Sequence, residues 1–312
     1  MSSFLHHLSL AAPLYILVLI GFGIARWRRW PRSFSDWLSR FVFNIALPAF
    51  LFTMMSDFSR LPPVDARLLL AYFGGCLIVF ILGRIVGFTL FRLDGVAQSV
   101  FALGGVFSNN VLLGLPLAKS MLGDAALPAV ALILVFNALT LWSLVTVSVE
   151  WARHGSLSLA GFTKTARSVL TNPIIVAILA GASFGMLGLP LPSLIEVPLA
   201  ALGQIAAPLS LVVVGMGLAD YGIRQGWGQS LAICLLKLVL LPLAVWLLAS
   251  VLALPTMETQ VIVLLSSLSV GVNVYLMSRQ FNSMEAPVAT SMLLSTALSG
   301  ITAPLVLSLV GP

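Results

Sequence analysis

Charge is what this sequence has least of. Asp, Glu, Lys and Arg make up 8% of its 312 residues, against about 25% in an ordinary soluble domain. Hydrophobic residues make up 60%, and the mean hydropathy is +1.09. The acids are scarcer than the bases, 10 against 16, and every one falls in a loop or near the end of an apolar run. No intramembrane Asp or Glu is therefore expected to relay protons or build a dense cation site. The three histidines, His6, His7 and His154, lie outside the apolar runs. HExxH, GxSxG, Walker and aspartate-rich motifs are absent, so an intramembrane hydrolase or metalloenzyme would lack its groups. Neither enzymatic residues, a metal site nor a cofactor is expected. Cys76 and Cys234 both sit inside apolar runs, where a thiol is a small hydrophobe, and no disulfide or redox chemistry follows.

What remains is apolar sequence in long pieces. A bilayer core of about 30 Å needs about 20 apolar residues per helix, and such runs fall near residues 8–26, 34–56, 67–91, 95–118, 124–149, 168–188, 194–219, 228–254, 258–279 and 285–310. They are too long and too uniformly apolar for the alternating strands of a β-barrel. The expected fold is all-α and integral to the membrane, with ten transmembrane helices. The cluster "RWRRWPR" follows the first run and no cleavage site separates them, so the first helix is expected to stay.

The net charge of +6 has a sided distribution, which points to a membrane and away from nucleic acid. If ten helices alternate, Arg26, Arg28, Arg29, Arg32, Arg40, Arg92, Arg153, Lys164, Arg167, Arg224 and Arg279 share one side, against Arg60, Arg67 and Lys119 on the other. The positive-inside rule makes the first side cytoplasmic and leaves both termini outside, as expected in a bacterial inner membrane.

The connection at 150–167, "EWARHGSLSLAGFTKTAR", is the longest and most polar. It divides the chain into a first five-helix repeat (1–149) and a second (168–312), and an odd number of helices per half inverts one against the other. "NIALPA" (44–49) and "QIAAPL" (204–209), offset by 160 residues, each place an amide four residues before a proline. Lys119 and Arg279 correspond in the same way, as Arg84 and Lys237 do roughly. Inverted repeats with broken helices and a midplane site characterise secondary transporters.

"SNNVLLGLPL" (108–117) sets Ser108, Asn109 and Asn110 beside Gly114 and Pro116 inside an apolar run. Pro116 lacks an amide hydrogen and clashes with the Leu112 carbonyl, so the helix must break or kink. Loosened backbone at membrane depth is tolerated only inside protein or against a wet cavity. Asparagine offers two donors and an acceptor without charge, and a half-helix N-terminus adds N–H groups that favour an anion. "SSLSVGVN" (266–273) is a second such stretch, with Ser266, Ser267, Ser269, Gly271 and Asn273; without a proline, a softer break is expected. Amides and hydroxyls in membrane helices also serve merely to bond neighbouring helices. Candidate substrate-binding residues are Ser108, Asn109, Asn110, Ser269, Gly271 and Asn273, with Gly114 and Pro116 shaping the break. Arg84, Lys237, Asn44, Gln204, Ser266 and Ser267 are candidates for an anion or ion pathway, although the stem of Arg84 is long enough to snorkel to the interface.

"NNVLLGLPL" (109–117) resembles the helix-four motif of the auxin efflux carrier family, whose bacterial members include carriers of malonate and malate, within the wider superfamily of bile-acid-type transporters. "TNPIIVAILAG" (171–181), "LGQIAAPLSLVVVGMGL" (202–218) and "NVYLMSRQFN" (273–282) are similar to further family stretches, so the resemblance covers nearly the whole chain. The family proline near Ser269 is missing. The resemblance implies that helices four and nine cross at the centre of a transport domain (helices three to five and eight to ten). Helices one, two, six and seven would form a scaffold, with elevator-type exchange between inward and outward states. The expected partners are a small organic anion, best a dicarboxylate such as malonate, a proton or sodium as coupling ion, the lipid bilayer and a second copy in a homodimer. A sodium-coupled carrier of larger amphipathic anions, or a sensor that binds without transporting, are the alternatives.

Overall fold

The computed structural model describes residues 2–27, 32–56, 64–154, 167, 170–187, 191–220 and 226–310. Arg28, Arg29, Arg60, Lys164 and Arg224, with most of the 150–167 connection, lie outside the described residues. Each apolar run folds as helix. In chain order these are α1 (Ser2–Arg26), α2 (Arg32–Phe41), α3 (Leu47–Ser56), α4 (Arg67–Thr89), α5 (Gly95–Val106), α6 (Leu115–Leu122), α7 (Leu127–His154), α8 (Pro173–Met186), α9 (Ser193–Asp220), α10 (Trp227–Leu235), α11 (Leu241–Val251), α12 (Thr256–Ser266), α13 (Val272–Gln280) and α14 (Glu285–Val310). Among the described residues there is no strand beyond one isolated bridge.

Seven helical stretches are long and apolar enough to cross a membrane: Phe4–Arg26, Ser33–Ser56, Arg67–Thr89, Asp124–Arg153, Ser193–Ala219, Trp227–Val251 and Glu285–Val310. The runs at 95–118 and 258–279 are instead pairs of shorter helices, and α8 has 14 residues.

Three widened turns have one cause. Val42–Ala46, Asn110–Gly114 and Leu236–Leu240 are π turns, and each is followed by one leucine and then a proline: Pro48, Pro116 and Pro242. In a regular helix the proline ring strikes the carbonyl four residues back, and a wider turn moves that carbonyl aside. Two of these turns keep their helix continuous, joining α2 to α3 and α10 to α11.

The two remaining breaks are complete. Residues 107–109 and 267–271 leave the helix and pair with each other. Ser108 bridges Val270 in antiparallel fashion. The Asn109 N–H donates to the Ser269 carbonyl at 3.0 Å, and the Gly271 N–H donates to the Phe107 carbonyl at 2.8 Å. The softer break expected at 266–273 is thus a full one. Proline is not needed there, because the Phe107 carbonyl and the Ser295 hydroxyl, 3.0 Å from the Val270 N–H, take the donors that leave the helix. Glycine leaves room for the pairing: a Cβ on residue 271 would lie 3.0 Å from the Ser108 carbonyl oxygen and 3.2 Å from the Phe107 ring.

Packing sorts the helices by neighbour. α1 lies along α9, and α3 along α8 and α9, while α4 packs on α5 and α11, and α10 on α14. The α1–α9 contact is backbone to backbone, since a Cβ on Gly21 would lie 2.1 Å from the Val212 carbonyl oxygen. Small residues allow such approaches between membrane helices. The exterior is apolar: Leu70, Leu77, Ile78, Ile81, Ile85 and Phe88 of α4 are exposed, as are Ile301 and Leu309 of α14. Polar side chains turn inward, with Ser99, Ser108, Asn109, Asn110, Asn137, Ser210, Ser269, Ser291 and Ser295 buried. This is the inside-out arrangement that lipid as solvent demands.

Candidate functional site

At the paired breaks the sequence brings four helix ends together. α5 and α12 arrive and stop; the Asn110–Gly114 turn leading into α6, and α13, begin. The first N–H groups of each departing helix have no intrahelical partners and carry partial positive charge. Asn109 sits at the start of one, outside helical geometry at φ −79° and ψ 59°, and its carbonyl accepts from Leu113 and Gly114. Gly114 lets α12 close behind the turn, since a Cβ there would lie 2.8 Å from both Leu265 and Leu268.

Five asparagines surround the space between them. A cavity of about 80 Å³ is lined by Ser108, Asn109, Asn110, Asn137, Asn172, Gly271 and Asn273, with Phe43, Ile174 and Ile175 on its apolar wall. A space of this size holds a few waters or one small acid. A larger cavity, of about 450 Å³, shares Phe43, Asn109, Leu112 and Val272 with it and continues past Ser39, Tyr275, Met292 and Thr296 to Ser35, Asp36 and Arg279. Asn109 therefore lines both spaces.

The amides differ in what they can offer. Asn110 Nδ2 donates to the Tyr72 hydroxyl at 2.9 Å and lies 3.5 Å from Asn137 Oδ1, which leaves its buried Oδ1 without a partner among the described residues. Asn110 thus presents an acceptor, and its donors hold α4 and α7 to the break. Asn172 caps α8, its side chain accepting from the Ile174 N–H at 3.0 Å. Asn109 and Asn273 line the cavity from the starts of the two departing helices.

Other sequence candidates fall into three groups. Ser108 and Gly271 are in the pairing itself, and Ser269, fully buried, has a hydroxyl without a partner among the described residues. Ser266 and Ser267 turn back onto their own helix, donating to the carbonyls of Val263 and Leu264. Lys237, fully buried in its π turn, donates from Nζ to the Ser266 carbonyl at the end of α12. Arg84, Lys237, Asn44 and Gln204 line neither cavity. Arg84 does not snorkel: its guanidinium donates to Ser148 and, at 3.2 Å, to Gln98, tying α4 to α7 and α5. Asn44 and Gln204 are exposed on the outer faces of their helices, because the π turn before Pro48 and the helical register of α9 direct them outward.

Sequence reasoning missed Asn137, Asn172, Tyr72 and Ser210. A lone amide in "LVFNALTLW" and the Asn-Pro start of α8 were the available signals for the first two. Tyr72 and Ser210 gave none.

Comparison with known proteins shows the family. A family model described as membrane transport protein matches residues 7–307. A protein of Rhizobium meliloti (strain 1021) named "Putative malonate transporter" is 29% identical over 297 residues, covering 93% of this chain and 91% of its own length. With that span of agreement, the chain belongs to the membrane transport protein family, that of the auxin efflux carriers, and is a multi-pass membrane transporter.

Proposed function

We propose that this transporter carries small organic carboxylates, malonate or a similar dicarboxylate, across the bacterial inner membrane by elevator-type alternating access. The observation that carries the reading is the meeting of two broken helices, each starting afresh beside an asparagine, Asn109 or Asn273, at a cavity of about 80 Å³. Two helix N-termini and uncharged amide donors favour a carboxylate and desolvate it at less cost than a fixed ion pair would incur. The cavity size favours an acid of a few carbons over a large amphipathic anion. The name of the Rhizobium relative supports malonate within that class.

In this reading the ten apolar segments are two inverted five-helix repeats, and the crossing of the fourth and ninth belongs to a mobile domain of α4–α7 and α10–α14. α1–α3, α8 and α9 form the scaffold. Supporting this division, Asn109 and Asn273 face Phe43 of the π turn between α2 and α3, and Ile174 and Ile175 of α8, across the cavity. In this reading the larger cavity, which reaches Asp36 and Arg279 near the base-rich loops, opens to the cytoplasm, and both termini lie outside.

The test is counterflow in proteoliposomes preloaded with malonate, followed with labelled malonate outside. Accumulation driven by the preloaded acid is expected. Binding of acids with no flux for any of them would replace the carrier with a sensor.

A further inference from the structure

We propose that Lys237 is the proton-coupling site of this transporter: the acid bound at the paired breaks is the counter-charge its buried amine lacks, so that acid binding and uptake of one proton by Nζ are linked. This rests on the reading of the chain as a carboxylate carrier.

Lys237 is among the largest fully buried side chains. Nζ donates to the carbonyl of Ser266, the last residue of α12, one of the helix-end acceptors left without an intrahelical donor. An amine and an ammonium can both make that bond, so the contact survives either protonation state. It also fixes Nζ at one end of the break whose other end, six residues on at Val272, starts α13 beside the cavity.

The neighbours of Lys237 supply no carboxylate. From α4, the Cys76 thiol faces it; Tyr72, one turn back, is engaged with Asn110 and Ser108, and Arg84, two turns on, with Ser148 and Gln98. α5 and α11 contain no titratable side chain, and α10 contributes only the Cys234 thiol. α12 carries Glu258 near its start, where it accepts from the Asp65 N–H, and α14 carries Glu285 as its first residue. Both lie at helix ends remote from Ser266.

A buried cation without a counter-ion is costly to charge. An anion arriving at the break removes much of that cost, and by reciprocity the charged lysine tightens the acid by the same factor. The proton comes from solvent and ends on the Nζ lone pair; no other bond changes.

The experiment is titration calorimetry of the purified full chain with malonate, in pairs of buffers of different ionisation enthalpy. It is run between about pH 7.5 and about pH 9, where carboxylates of intrinsic value about 4 are fully ionised. The wild type is expected to take up about one proton per malonate, with affinity falling by up to about tenfold per pH unit. Lys237→Arg, always charged, is expected to bind with no proton uptake and with affinity independent of pH. Where arginine does not fold, Lys237→Met is expected to bind weakly and take up none. Malonate binding by the wild type without proton uptake, or uptake retained in either variant, overturns the proposal and leaves the carboxylate reading standing. Absence of binding by malonate and by every other small acid tried overturns that reading, and this inference falls with it.

Discussion

The Ser210 hydroxyl lies 2.9 Å from the carbonyl oxygen of Leu112, the acceptor that a regular helix would have paired with the amide Pro116 lacks. The same hydroxyl reaches the Ala207 carbonyl of its own helix at 2.7 Å. One serine of α9 therefore answers a polar group freed in the turn that leads into α6, and does so in a fully buried place.

Ser210→Ala is expected to cost about 1 kcal/mol, the scale of one buried hydrogen bond between membrane helices. Pro116→Ala in the same chain should recover part of it, because an alanine amide can serve Leu112 itself. Thermal unfolding of the two single variants and the double variant gives the coupling. Strict additivity would show that the proline and the serine act independently.

Asn109→Ala and Asn273→Ala should each lower malonate transport at least about tenfold, about 1.4 kcal/mol, with little change in unfolding temperature. Asn109→Asp should be worse than alanine, since it sets like charge against a carboxylate at a position that lines both cavities. Asn172→Ala should act differently: it removes the cap of α8 and costs about 1 kcal/mol of stability. Flux and unfolding measured on the same preparations separate the two behaviours, and Asn109→Ala with wild-type flux would remove it from the site.

Much of this fold is legible in residue order because lipid is a strict solvent. Apolar runs must be helices, and a proline must disturb one, so the helical segments and the disturbed turn before Pro116 follow from composition and local sterics. The second break does not follow in full. Its completeness depends on a hydrogen bond to Phe107, 164 residues away in the chain, and no local pattern encodes such a partner. The facing of single polar residues is equally opaque: Asn44 and Gln204 read like Asn109 in sequence, but a turn of the helix directs them outward. Arg84 reads like a pathway charge, and nothing local announces that its guanidinium ties three helices together.

That tie yields a prediction of the opposite kind. Arg84→Met should leave Gln98 and Ser148 without their donor and destabilise the protein by about 1–2 kcal/mol, the range for a hydrogen bond to a charged group. The apparent affinity for malonate should stay within about twofold of wild type, because the Arg84 guanidinium is already engaged by Ser148 and Gln98. A drop in affinity of about tenfold with unchanged stability would return Arg84 to the anion pathway.

Gly271 gives the sharpest separation of fold from transport. A Cβ there would press on the Ser108 carbonyl at 3.0 Å and on the Phe107 ring at 3.2 Å. The ring can turn, but the carbonyl belongs to the backbone that bridges Val270. Gly271→Ala should therefore shift the pairing by a few tenths of an ångström, cost about 1–3 kcal/mol as other overpacked positions do, and lower flux more than binding. Gly271→Val, with two further methyl groups, should abolish flux. The variant protein should still insert and run as a folded species on size exclusion, because α12 and α13 keep their separate packing. Flux at the wild-type rate in Gly271→Val would mean that the two breaks need not touch during transport, and that the close approach seen between residues 108 and 271 belongs to one resting state alone.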